Sequence, residues 1–235
     1  GIAWDVIEQF SVKLDYFNLD IDNAIAQRSV TNVMRGIANG QLTPDSTFYV
    51  ERAPTTDGTL GKTLKVGTGY ANGDKLTIEG IDLGLTGNIE TQIGELSVNW
   101  NNSFVLDYTS EQIGGATAQN TAGWEGQPDY KSVVTTTYKV SDHTFAWNMN
   151  YTAGTYAKDK AIDAAGLVLV PEGDLDSWLI HNLSYTYNAG DFGSVTLMVN
   201  NLTDEDPILN EGAYDNADLY NNYGREYRAS YTIKF

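Results

Sequence analysis

The sequence predicts an all-β protein, an antiparallel transmembrane β-barrel. Three observations carry this. Apolar and polar residues alternate with period two along most of the chain, and helical periodicity is nearly absent. The links between alternating segments are short and long in strict turn. Tyr and Trp gather near the segment ends, as in the aromatic girdles of membrane barrels.

The elements follow in order. Residues 1–5 read as the tail of an earlier strand. In 8–22, Phe10, Val12, Leu14 and Tyr16 alternate with Ser11, Lys13 and Asp15. A long connection then runs from about Asn23 to Gly73, with a short helix expected over Val30 to Ala38 and a hairpin near "GYANGDK". Strand 74–88 carries Ile81, Leu83 and Leu85 on one face. Strand 93–109 contains "ELSVNWNNSFVLDY". Leu96, Val98, Trp100, Asn102, Phe104, Leu106 and Tyr108 form its oily face, and Ser97, Asn99, Asn101 and Ser103 its polar one.

Strands 129–140 and 142–156 come next, the second with Phe145, Trp147, Met149 and Tyr151 opposite Thr144, Ala146, Asn148 and Asn150. Strand 177–188 places Leu179, Leu183, Tyr185 and Tyr187 together, with His181 as the exception. Strand 192–202 aligns Val195, Leu197 and Val199, and 225–235 aligns Tyr227, Ala229, Tyr231, Ile233 and Phe235.

"GNIETQIG", "KVSDH" and "NAGDFG" are the short links; Ser110 to Asp129, Ala157 to Ser177 and Thr203 to Gly224 are long. A soluble sandwich also alternates along its strands, but has no reason to sort its links by length. An outer-membrane barrel does: short turns face the periplasm and long loops face outside. Hydrocarbon offers backbone groups no water, so the spanning strands must pair with one another. The oily set then faces lipid and the polar set a wet or plugged lumen. With "NAGDFG" periplasmic, the last strand ends in the periplasm at Phe235 and the long loops are extracellular.

Composition narrows the function. Fourteen basic residues against 31 acidic give a net charge of −17, which disfavours a nucleic-acid partner. There is no cysteine, and the two histidines, His143 and His181, do not suggest a zinc site. No run of 18 apolar residues encodes a membrane helix. The opening "GIAWDVIEQF" lacks the regions of a signal peptide and reads as a strand under way, so the chain is expected to start partway through something larger. "IGGATAQ" near Gly114 lacks the setting and the Lys of a phosphate loop. No catalytic residue is assigned, and no enzyme is expected.

Binding candidates lie in the long connections. The last one mixes Asp204, Asp206, Asp215 and Asp218 with Tyr214, Tyr220 and Tyr223. Oxygen ligands of this kind could hold Ca²⁺, the sole cofactor considered, although the spacing is not that of an EF-hand and a hydrated surface loop is the plainer reading. Trp124 and Tyr130 flank "GWEGQPDY". Each could stack on a ligand or belong to a girdle.

The end of the chain is more specific. "VNNLTDEDP" followed by "YGREYRASYTIKF" resembles the C-terminal signature of TonB-dependent outer-membrane receptors, with Val199, Asn201, Leu202, Asp204, Pro207, Gly224, Arg225 and Phe235 matching and Thr203 departing. "FSVKLDYFNLDIDNAI" and "KLTIEGIDLGL" resemble two earlier strands of that family, so the likeness covers essentially all of residues 1–235. It implies the C-terminal segment of a 22-stranded barrel, with about eight or nine strands here. The plug, the TonB-contacting box and the first strands would lie outside this sequence. It also implies active uptake of a scarce nutrient: a siderophore, haem, cobalamin, an oligosaccharide or a peptide. The partners would be outer-membrane lipid, the remaining barrel strands, the plug and, through it, the TonB complex. Tyr231, Ile233 and Phe235 would form the signal read by the barrel-assembly machinery. The alternatives are a passive outer-membrane channel and a secreted β-rich glycan-binding module.

Overall fold

The computed structural model describes residues 1–115, 118–163, 166–210, 213–214, 220–221 and 223–233; side chains of 158–172 and 209–214 are outside that description. The chain forms β1 (Ile2–Ile7), β2 (Phe10–Gln27), α1 (Val30–Ala38), β3 (Tyr49–Arg52), β4 (Thr63–Gly67), β5 (Tyr70–Glu90), β6 (Glu95–Glu111), β7 (Tyr130–Val140) and β8 (His143–Thr152). It continues with β9 (Thr155–Asp163), β10 (Gly166–Leu175), β11 (Trp178–Asn188), β12 (Ser194–Asn200), β13 (Leu209–Asn210), β14 (Ala213–Tyr214) and β15 (Glu226–Thr232). Nine strands form one antiparallel sheet in the order β1-β2-β5-β6-β7-β8-β11-β12-β15. Each is hydrogen-bonded to its sequence neighbours within that sheet, which is the meander expected of a barrel wall. The hairpins β3–β4, β9–β10 and β13–β14 sit inside the long connections.

Register shows why the sheet has two unlike faces. Directly paired residues point the same way, so the pairs can be followed across strands. One row runs Leu96, Tyr138, Phe145, Tyr185, Leu197 and Ala229. The next runs Val98, Thr136, Trp147, Leu183, Val199 and Tyr227. On the other face, Ser11, Thr86, Asn99, Thr135, Asn148 and Asn182 stand in line. On the apolar face the large side chains are not buried against a second layer: Trp4, Leu14, Tyr16, Phe145 and Leu197 are all exposed. A water-soluble sandwich would cover such rows.

Polar groups on the apolar face are closed off locally. Asn102 and Ser132 are 5 % and 3 % exposed. The Tyr130 hydroxyl donates to Asn102 Oδ1 at 2.8 Å, Trp100 Nε1 donates to Ser132 Oγ at 2.8 Å, and Ser132 Oγ donates to Asn102 Oδ1 at 3.1 Å. His181 likewise accepts from Trp147 Nε1 at 3.3 Å, with the two rings stacked. Aromatic hydroxyl and indole donors thus meet acceptors that hydrocarbon would leave unpaired, while Asn102 Nδ2 donates to the Leu83 carbonyl at 3.4 Å.

Two expectations need correction. "GYANGDK" is not a hairpin but part of β5, whose 21 residues run from Tyr70 to Glu90. Asn23 (φ 56°) and Gly73 (φ 117°) lie where the β2–β5 register shifts. Their left-handed backbone makes bulges rather than a turn. The hairpin of that connection is β3–β4 instead. Secondly, Tyr108 does not share the face of Phe104. The β5–β6 register slips between Glu79 and Gly80, leaving Leu106 as the extra residue, so that Phe104 pairs with Ile81 but Tyr108 with Ile78. A glycine is needed at this bulge: a Cβ on Gly80 would stand 2.4 Å from the Phe17 ring and 2.5 Å from the Phe104 carbonyl oxygen. The helix α1 matches its expected bounds, with Ser29 Oγ accepting from the Asn32 amide at 3.1 Å as the N-cap.

Candidate functional site

The polar face and the long-connection end of the sheet hold the candidate site. Strands there outrun a membrane: β2 has 18 residues and β5 has 21, against about 9–11 needed to span. At the row Tyr16, Ile81, Phe104, Tyr130 the polarity of the two faces exchanges. Beyond it, the formerly apolar face carries Asn18, Glu79 and Asp107 in one row, then Asp20, Thr77 and Thr109. The formerly polar face carries Leu19, Ile78 and Tyr108, then Ile21 and Leu76. Tyr130 and Phe104 stack at this level with centroids 4.7 Å apart. Tyr130 therefore stands in a girdle-like row, on the face opposite the asparagines.

Those asparagines form a ladder. Asn148 Oδ1 accepts from Asn150 Nδ2 at 2.6 Å and from Asn182 Nδ2 at 3.1 Å, and Asn148 Nδ2 donates to Thr135 Oγ1 at 3.1 Å. Asn182 Oδ1 in turn accepts from the Asn201 amide at 2.9 Å. Beside the ladder lies a hollow of about 320 Å³ lined by Asn150, Trp178, Asn182, Asn200, Asn201 and Asn221 among others; the described residues on its wall carry no ionisable side chain. Such a surface offers amide donors and acceptors to a neutral polar group. The sequence had a signal for it, since "WNMNY", "HNLSY" and "VNN" repeat Asn on the polar parity.

The ending motif builds a clamp beside that hollow. Asn201 (φ 50°) turns the chain out of β12, its Nδ2 donating to the Glu205 carbonyl at 2.9 Å while its Oδ1 accepts from the Glu205 amide at 2.9 Å. Asp204 Oδ1 accepts from the Arg225 amide at 2.8 Å, with the guanidinium 3.8 Å from Oδ2. Gly224 (φ 64°) brings the chain to that contact. Pro207 is buried, Leu202 donates its amide to the His181 carbonyl at 2.7 Å, and Val199 stays on the apolar face. The geometry of these residues is that of a closure between the last two sheet strands.

The other singled-out residues are dispersed. Trp124 is half-buried in a tight turn whose Gly123 carbonyl accepts from the Tyr156 amide at 2.9 Å, tying it to β9. Tyr220 is 2 % exposed and meets Trp178 edge-on at 5.3 Å. Tyr223 is 81 % exposed. Tyr231 and Ile233 are exposed at the short-turn end, where the Tyr231 hydroxyl donates to the Phe192 carbonyl. Asp206 is exposed and lends only its carbonyl, to Trp178 Nε1 at 3.1 Å. Asp215, Asp218, Phe235 and the side chain of Tyr214 lie outside the described residues. Among the described residues no three His, Asp or Glu side chains converge as a metal site would require.

The pattern that sequence alone does not reveal is a clasp between two long connections. Arg28 and Asp74 form a buried ion pair, and Arg28 Nη2 donates to the Asn72 carbonyl at 3.3 Å. Arg35 Nη1 donates to the Gly114 carbonyl at 2.9 Å, and Asn32 Nδ2 to Gln112 Oε1 at 3.1 Å. A Cβ on Gly114 (φ 72°) would stand 2.0 Å from the Asn32 carbonyl oxygen. Helix α1 of one connection thus seats on the Ile113–Gly114 turn of the next.

Residues 1–202 match the family model described as "TonB dependent receptor-like, beta-barrel". Among solved structures, a mutant of the ferric enterobactin receptor PfeA from Pseudomonas aeruginosa is similar with TM-score 0.61 and 17% identity, covering 98% of this chain and 29% of that one. The siderophore receptor PirA from Acinetobacter baumannii is similar with TM-score 0.59 and 16% identity, covering 95% and 29%. The outer membrane transporter YddB from Escherichia coli gives TM-score 0.60 and 12% identity, covering 96% and 30%. The chain thus spans under a third of the length of each of these structures. No curated protein matches it.

Proposed function

Since this chain belongs to the TonB-dependent receptor family and has the fold of part of its β-barrel, we propose that it forms the C-terminal wall of a receptor for active nutrient uptake across the outer membrane of a Gram-negative bacterium. The observation that carries the reading is the polarity exchange at the row Tyr16, Ile81, Phe104, Tyr130. Below it the apolar face meets lipid, and the Asn ladder lines the lumen. Above it the acidic face meets water outside the cell, and the inner wall encloses a vestibule. The short turns are then periplasmic and the long connections extracellular. The remaining strands close the barrel; a plug fills it and carries the contact to TonB.

The wall's part in transport is passive. Its described residues offer the plug and the passing nutrient neutral amides at the hollow, which hold a polar group by hydrogen bonds. The test is uptake by cells carrying the complete receptor, compared with and without TonB. Accumulation that requires TonB is the expected result. Uptake of equal rate without TonB would mark a passive channel and overturn the proposal.

A further inference from the structure

The outer face carries a groove of about 690 Å³ across β7, β8, β11, β12 and β15. Tyr138, Phe145, Trp147, Tyr185 and Leu197 line it, and Ala229, at the end of the row Tyr138, Phe145, Tyr185, Leu197, supplies a small side chain. This hollow differs from the one beside the asparagines. Adding a plug would fill space on the inner face and completing the barrel would set a strand beside β15 at one end of the groove, whereas its floor on β7, β8, β11 and β12 stays open to whatever surrounds the barrel.

At its depth that surrounding is hydrocarbon, which excludes water and leaves an acyl chain as the filler. One row nearer the short turns, a polar cluster marks the interface. His143 Nδ1 lies 2.7 Å from the Tyr185 hydroxyl, and the His143 ring stacks on Tyr185 at 5.9 Å and on Tyr187 at 5.2 Å. Imidazole and phenol groups at this height offer hydrogen bonds to a phosphate while their ring faces stay in contact with carbon.

We infer that the groove holds one acyl chain of a glycerophospholipid of the periplasmic leaflet, its phosphate seated at His143, Tyr185 and Tyr187. The inference rests on the orientation given under the proposed function. It adds a bound lipid, distinct from the exchanging annulus, to the outside of the wall beside its last strand.

The test is native mass spectrometry of the complete receptor, purified in mild detergent after incubation with phosphatidylethanolamine vesicles. The wild type is expected to retain one phospholipid. Ala229→Phe and Leu197→Trp fill the groove, and each should cut retention on the order of tenfold or more, because a bulky side chain displaces several methylenes. Val12→Phe, on the same face but far from the groove on β2, should leave retention unchanged. His143→Ala should weaken retention of the phospholipid but not of a free fatty acid of the same chain length, which separates headgroup from tail. A wild type that keeps no lipid, filled variants that keep as much as the wild type, or equal loss in Val12→Phe would each overturn the inference. Equal weakening of phospholipid and fatty acid by His143→Ala would overturn the headgroup assignment. TonB-dependent uptake by a receptor that holds no lipid would refute the groove alone and leave the transport reading standing.

Discussion

Removing Asp74 should open two of the long connections at once. Its carboxylate sits against the Arg28 guanidinium, whose side chain is 1 % exposed, while Asp74 is 6 % exposed. Asp74→Ala leaves a buried cation with the Asn72 carbonyl as its remaining side-chain acceptor, at 3.3 Å. Deleting one partner of a buried pair costs about 3–5 kcal/mol, and Asp74 Oδ1 also accepts from the Ile113 amide at 3.4 Å. The loss falls on the clasp and on the end of β5 that holds Asp74, paired with Ala24 of β2, rather than on the rest of the sheet, since both lie beyond the polarity exchange. Amide hydrogen exchange on the complete receptor should show protection falling roughly 10²- to 10³-fold in α1 and in 112–115 together. Arg28→Met with Asp74→Leu should recover most of it, because an apolar pair of similar size removes the stranded charge. Loss confined to α1, with 112–115 unchanged, would refute the idea that the two connections are held as one body.

Three further outcomes follow from single sites. Gly80→Ala should lower barrel stability by about 1–3 kcal/mol, through contact with the Phe17 ring and the Phe104 carbonyl, read as an earlier midpoint in urea unfolding. Ser132→Ala takes the acceptor from Trp100 Nε1 and a donor from Asn102 and should cost about 1–3 kcal/mol, with the Trp100 emission shifting as its indole loses that bond. Deleting Phe235 should reduce the yield of the assembled receptor in the outer membrane, measured by folded, heat-sensitive migration; undiminished yield would remove it from the assembly signal.

Much of the sheet was legible in the sequence because membrane strands obey one strict rule. Alternation along "FSVKLDY" or "HTFAWNMNY" leaves no doubt about faces, and the sorted link lengths separate a barrel from a sandwich. The rule fails where an extra residue enters. In "FVLDY" apolar residues occupy both parities, so nothing local shows that Leu106 is the bulged one and that Tyr108 has changed sides. "ANGD" carries the Asn-Gly signal of a tight turn, yet the same left-handed freedom at Gly73 served a bulge. The clasp was invisible for another reason: Arg28 and Asp74 are 46 residues apart, and only the pairing of β2 with β5 brings them together. The asparagine ladder lay in plain view as a polar parity, but that its amides bond one another depended on register between β8 and β11.

The exchange of polarity at the Tyr16 row acts as a waterline. Were the barrel to sink by one residue pair, Glu79 and Asp107 would enter the edge of the hydrocarbon, where a charge costs up to about 1 kcal/mol apiece. Were it to rise by as much, the rings of Tyr16, Phe104 and Tyr130 would surrender their hold at the headgroups. On the proposed orientation the chain is held to one draught, and its freeboard, the upper halves of β2, β5 and β6, stays clear of the bilayer.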